Sequence, residues 1–158
     1  MANDRRWAEI FQMLRTLNIP SLAIVRGFAV AGGFTLAMGC DFVLAEQNAR
    51  FGALKMKGGV CATVNTAVLT HLLNPRQALE LLICDELFDA DRLYRVGLIT
   101  RLADNAAQLD EIADQFVSGL LRLEGESIRL TKDIHRATLA GGLEQGLSYG
   151  SHINSLIA

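Results

Sequence analysis

The stretch Gly27 to Phe42, "GFAVAGGFTLAMGCDF", carries four glycines and no charged side chain before Asp41. Gly32 and Gly33 lead into an apolar run that reads as a helix from Phe34 to Met38. Bare backbone at such a junction suits two purposes. It makes a tight strand-to-helix turn, or it lets a ligand approach the main chain closely. The first N–H groups of a helix have no internal acceptor, and the helix dipole favours negative charge beside them. The chemistry on offer is stabilisation of an oxygen that gains charge during a reaction. Gly32 is the candidate donor, with Ala31 and Gly33 on either side.

Two phosphate-binding readings fit the same stretch less well. "GFAVAGGF" has the G-x-x-x-x-G spacing of a phosphate loop, but Gly33 and Phe34 stand where Lys and Ser/Thr would hold phosphate and magnesium. The G-x-G-x-x-G of a dinucleotide fingerprint is absent.

Other candidate chemistry is scattered. Lys55 and Lys57 alternate with Leu54 and Met56, as on a strand with one wet face. A lysine in an apolar pocket would instead act as a base or pair with a phosphate or carboxylate. Thr35 is either a hydroxyl donor near the glycine turn or a threonine turned to its own helix backbone. Cys61 has no histidine at a spacing that would activate it and reads as a buried, inert thiol. His71 falls on an apolar helix face, in a packing or capping part. Asp41 reads as a structural hydrogen-bond acceptor at a strand start.

The elements that must position these groups follow from periodicity. Trp7, Ile10, Phe11, Leu14 and Leu17 mark one helix face, and Asn18 and Pro20 end it. Ser21 to Val25 and Asp41 to Glu46 read as buried strands. Phe51 to Ala62 reads as a short strand and a loop. Asn65 to Leu73 reads as a helix capped by Asn65. Pro75 opens a helix through Ile83, and Asp89 caps another over Ala90 to Val96, stopped by Gly97. "LITRL" reads as a strand. Helices follow at about 105–122, 125–139 and 143–156, with Gly141-Gly142 breaking the last two. The expected organisation is one domain, an α/β core over 1–104 with a helical part over 105–158.

Composition bounds the function classes. Hydrophobic residues make up 51% and charged residues 20% of 158, as in a globular domain. A net charge of -2 gives no support for nucleic-acid binding. Three cysteines without C-x-x-C spacing fit neither a disulfide framework nor a metal site, and fit a reducing compartment. "MANDRRWAEI" lacks the apolar core of a secretory signal, and the stretch Gly27 to Cys40 is too short and glycine-rich to span a bilayer. The expectation is a cytoplasmic protein without a membrane partner.

Pro20 to Ala45, "PSLAIVRGFAVAGGFTLAMGCDFVLA", resembles the signature region of the enoyl-CoA hydratase/isomerase family, the crotonases. The likeness continues through "ARFG" (Ala49 to Gly52), Gly59 seven residues on, "RQALELLICDELFDADRLYRVGLITRL" (Arg76 to Leu102) and Thr131-Lys132. The resemblance implies a crotonase-like spiral of β-β-α turns with a helical C-terminal part, assembled as trimers or hexamers. It implies an acyl-CoA thioester as substrate, with coenzyme A as part of that substrate and no separate cofactor or metal. Gly32 N–H would be one of two oxyanion donors, with Ala31, Gly33 and Gly59 beside the substrate. Relative to the family, the chain is expected to be shortened at its N-terminus, without the other donor. The family's catalytic glutamates fall at Thr35 and Lys55, and the aspartate of related dienoyl isomerases falls at Thr63. Since no Asp or Glu lies between Glu46 and Glu80, ordinary hydration is expected to be absent or very slow. Decarboxylation or slow thioester hydrolysis would need less carboxylate chemistry. The alternative expectation is a non-catalytic oligomeric module for binding or assembly.

Overall fold

The computed structural model describes residues 2–157, with side chains over 5–155. Its elements in order are α1 (Ala2–Thr16), β1 (Leu22–Val25), β2 (Phe28–Val30), α2 (Gly32–Gly39), β3 (Phe42–Glu46), β4 (Arg50–Gly52), a 3-10 turn (Met56–Gly58), α3 (Thr63–Leu72), α4 (Pro75–Ile83), β5 (Phe88–Asp89), α5 (Ala90–Arg95), β6 (Arg101–Ala103), α6 (Ala106–Leu121) and α7 (Gly125–Ile157).

Neither β1 with β2 nor β3 with β4 forms a pair. The chain lays β1 in one sheet and β2 in another, then returns through α2. It repeats the move with β3 and β4. The first sheet has the order β1-β3-β6 and the second β2-β4-β5. β1 and β3 run parallel, Leu22 opposite Phe42 through Val25 opposite Ala45. β2 and β4 also run parallel, Val30 opposite Gly52. Two successive β-β-α turns therefore stack on one another, the spiral that the resemblance implies. β3 is the central strand of its sheet, which is why Val43, Leu44 and Ala45 are all buried in a continuous apolar run. Phe34 on α2 and Phe51 on β4 are fully buried and meet edge to face at 6.1 Å, so the core begins immediately behind the glycine turn.

Several boundaries follow from local chemistry. Asn74 caps α4 by accepting the Gln77 N–H at 3.1 Å, with Pro75 in the first turn. Asn105 caps α6 in the same way. α7 breaks at Gly142, where φ is +84°, so its two arms fold against each other. Gly146 faces Thr138 across that fold, and a Cβ there would lie 2.0 Å from Thr138 Oγ1. Close approach of the arms needs glycine at that position.

The structure corrects five sequence readings. The segment Phe28–Val30 is a strand, not only a turn, because β4 pairs with it. Lys55 and Lys57 lie at a 3-10 turn and not on a strand. Asp89 occupies the cap position of α5 without a capping bond, and its carboxylate pairs with Arg50 at 3.2 Å. Cys61 is exposed and not buried, and His71 is exposed at the end of α3.

α7 is stitched to the start of the core. Lys132 Nζ donates to Asp41 Oδ2 at 2.6 Å and to Ile19 O at 2.9 Å. Asp41 Oδ2 also accepts the Ser21 N–H at 2.7 Å and the Ser21 hydroxyl at 2.8 Å. Asp41 is thus the structural acceptor expected from sequence. Partial burial pushes its carboxyl pKa up, but the bonds from Lys132 and Ser21 outweigh this and hold it below its ordinary value. A depressed native pKa stabilises the fold above the unfolded carboxyl value, and that contribution is lost as pH falls through the native one. Stability is therefore expected to fall below about pH 4, with a shallower fall in Lys132→Met. Urea midpoints measured across the acid range check this, and identical acid limbs in the two proteins would refute it.

Candidate active site

The glycine turn sits where β2 ends and α2 begins. Ala31 occupies the cap position with φ 49° and ψ -117°, a conformation that glycine adopts readily and alanine resists. It is held on both sides. Its N–H donates to Gly52 O at 2.8 Å, and its carbonyl accepts the Thr35 N–H at 3.2 Å. Ala31→Gly is expected to raise stability by about 1 kcal/mol by relieving this conformation. A lowered urea midpoint in that variant would contradict it.

The turn leaves two backbone donors unengaged: among the described residues nothing accepts the Gly32 or Gly33 N–H. α2 has no side-chain cap and no acid in its first turn that would occupy them. A Cβ on Gly32 would lie 3.4 Å from the Trp7 ring, while one on Gly33 would meet nothing within 4 Å. One side of the turn is therefore walled by α1 and the other is open. Free N–H groups at a helix start suit an anionic or carbonyl oxygen.

The candidate acid–base positions have separate fates. Thr35 is only 2% exposed and its hydroxyl faces inward. That hydroxyl lies 3.0 Å from Ala31 O and also contacts Asn65 Oδ1. The reading of Thr35 turned to its helix backbone describes its position. Lys55 is half-buried and precedes the 3-10 turn, and its carbonyl accepts the Val60 N–H at 3.2 Å. Gly59 closes that turn at φ +67° and is exposed. Thr63 is the exposed first residue of α3. Among the described residues no hydrogen bond joins Thr35, Lys55 and Thr63 to one another.

Two residues of this region escaped sequence reading. Asp85, 5% exposed, accepts the N–H of Met56 at 3.1 Å and of Lys57 at 2.8 Å. This carboxylate holds the Lys55 loop, and both of its oxygens are already engaged. Asn65 is not the cap of α3 but a buried residue inside it, 3% exposed and turned toward Thr35. Neither has a local signature, since their partners lie 28 to 30 residues away.

A two-sheet spiral of β-β-α turns with free N–H groups at one helix start defines the architecture of this chain. A profile described as enoyl-CoA hydratase/isomerase matches residues 3–154. The chain belongs to the enoyl-CoA hydratase/isomerase family, and its fold is crotonase-like with a helical C-terminal part. It is 31% identical over 148 residues to a Thermus thermophilus protein described as an enoyl-CoA hydratase, covering 94% of this chain and 58% of that one. It is 29% identical to the crotonyl-CoA hydratase of Syntrophomonas wolfei, covering 89% and 54%. A Thermobifida fusca protein described as an enoyl-CoA hydratase, solved with CoA and again with acetoacetyl-CoA, superposes with a TM-score of 0.89 at 27% identity, covering 98% and 62%. The chain thus spans little more than half the length of the curated relatives it matches. Among the described residues no helix is long and apolar enough to cross a membrane.

Proposed function

We propose that the protein binds an acyl-CoA thioester and polarises its carbonyl through the Gly32 N–H. The observation that carries this reading is the unpartnered Gly32 donor at the start of α2, held by the constrained Ala31 turn. As the thioester oxygen gains charge, an oriented donor stabilises it more than it stabilises the ground state. Ala31, Gly33 and Gly59 border the acyl group in this reading. Coenzyme A is part of the substrate and no separate cofactor is invoked.

The chemistry proposed is one that needs no carboxylate pair. Thr35 has no carboxylate and its hydroxyl is turned to Ala31 and Asn65. Lys55 and Thr63 bring none either, and Asp85 is engaged by the loop. Decarboxylation and slow thioester hydrolysis need carbonyl polarisation first, whereas hydration needs a positioned acid and base. Calorimetric titration with acetoacetyl-CoA, an enolate mimic, tests the reading. Micromolar binding supports it, and no binding by a folded sample overturns it.

A second reading is a non-catalytic oligomeric module. It is favoured by Leu139, Leu143 and Leu147 of α7, each about half exposed or more, in the helical C-terminal part whose counterpart in the family makes trimer or hexamer contacts. Free CoA separates the two readings. At a hundred times its dissociation constant a ligand adds about 2.7 kcal/mol of stability, which the acyl-CoA reading requires and the module reading does not.

A further inference from the structure

We infer that Asn65 and Thr35 form a positioning relay that fixes the Ala31–Gly32 peptide and strengthens its N–H as a donor. The inference deepens the acyl-CoA reading and takes its ligand from it. Ala31 O and Gly32 N–H are opposite ends of one planar peptide group. Whatever binds the carbonyl aims and polarises the N–H.

The carbonyl end is doubly engaged. Ala31 O lies 3.2 Å from the Thr35 N and 3.0 Å from the Thr35 hydroxyl oxygen. The hydroxyl has one proton but faces two oxygens, Ala31 O and Asn65 Oδ1. On the same amide, Asn65 Nδ2 is buried without a partner. One change resolves both conflicts. With the Asn65 amide turned end for end, Nδ2 donates to Thr35 Oγ1, and Thr35 Oγ1 donates to Ala31 O. The bonds then run in one sense, from Asn65 through Thr35 to the Ala31 carbonyl, and each strengthens the next. α2 and α3 are both rigid helices, so the relay holds the strained Ala31 conformation from behind. A carboxylate at position 35 could not pass a donor bond to Ala31 O while ionised, but a threonine can. The relay is therefore a property of this chain's own Thr35–Asn65 pair.

The test reads the Gly32 amide directly, by nuclear magnetic resonance on the free full chain. Thr35→Val removes the hydroxyl at constant volume and is expected to move the Gly32 ¹⁵N resonance. Thr35→Ser restores the hydroxyl and is expected to return it. Asn65→Ala is expected to move it the same way by less. With acetoacetyl-CoA bound, the infrared frequency drop of the thioester carbonyl is expected to shrink by about 10–30% in Asn65→Ala. A Gly32 resonance unmoved by Thr35→Val overturns the relay. If that variant does not fold, the wild-type chain decides. Cross-relaxation between the Asn65 Nδ2 protons and Thr35 supports the turned amide, and its absence overturns it. If the wild-type chain binds no acetoacetyl-CoA while its Gly32 resonance still follows Thr35, the acyl-CoA reading falls and the relay stands.

Discussion

Replacing the Gly32 peptide N–H with an ester oxygen is expected to weaken acetoacetyl-CoA binding about 10- to 100-fold. The enolate-like oxygen of that ligand would accept a charge-assisted bond from Gly32. Such bonds contribute about 1.5–3 kcal/mol. Gly32→Ala is the control. It keeps the N–H and sets a methyl in ordinary contact with the Trp7 ring at 3.4 Å, so affinity should change little. Gly32→Pro is a poor substitute for the ester. The residue before a proline is driven to extended backbone, and Ala31 stands at φ 49° and ψ -117°. Proline would remove the turn along with the donor. Titration of the ester and alanine forms decides the matter, and equal affinity in the two would exclude Gly32 as the donor.

Thr35→Glu is expected to cost about 3–5 kcal/mol of stability and to restore no crotonyl-CoA hydration. The position is 2% exposed and lies between the Ala31 carbonyl and the Asn65 amide. A carboxylate there would be buried against an acceptor with no cation hydrogen-bonded to it. Lys55→Glu is a different case, since Lys55 is only half-buried, and it should fold normally. The familiar two-glutamate arrangement therefore cannot be rebuilt by substitution at positions 35 and 55 alone. Urea unfolding and the loss of crotonyl-CoA absorbance measure both halves of the prediction. A stable, hydrating double variant would refute it.

These two predictions rest on features of unequal visibility in the sequence. The helices with local signals were legible. Pro75 announces α4, the 105–122 run matches α6, and Gly141-Gly142 marks the break in α7. The apolar runs of β1 and β3 were legible because both are short, apolar and parallel, but only β3 is buried along its middle, and β1 at the sheet edge leaves Ile24 exposed. β2 was not, because three residues beside a glycine become a strand only through pairing with β4. The Lys55–Lys57 alternation suggested a strand, but the N–H groups of Met56 and Lys57 are captured by Asp85. A contact at that separation leaves no periodicity to read. At the turn itself, the glycines pointed to Gly32, while the left-handed backbone falls on Ala31, where nothing in the residue type suggests it. Asn65 looked like a cap from its place in the sequence, and only the packing of α3 on α2 turns it toward Thr35.

The stitching of α7 to the start of the core also orders events in time. Lys132 reaches Ile19 across 113 positions, and Arg136 reaches the Arg15 carbonyl at 2.8 Å across 121. During synthesis the strands of the first β-β-α turn emerge long before either cation exists. Contacts of such high sequence separation close late, after the local helices and the early strands. Until residues 132–136 emerge, Ser21 and Asp41 hold each other without the lysine, and the clamp of α7 on the core closes only after the early strands are in place.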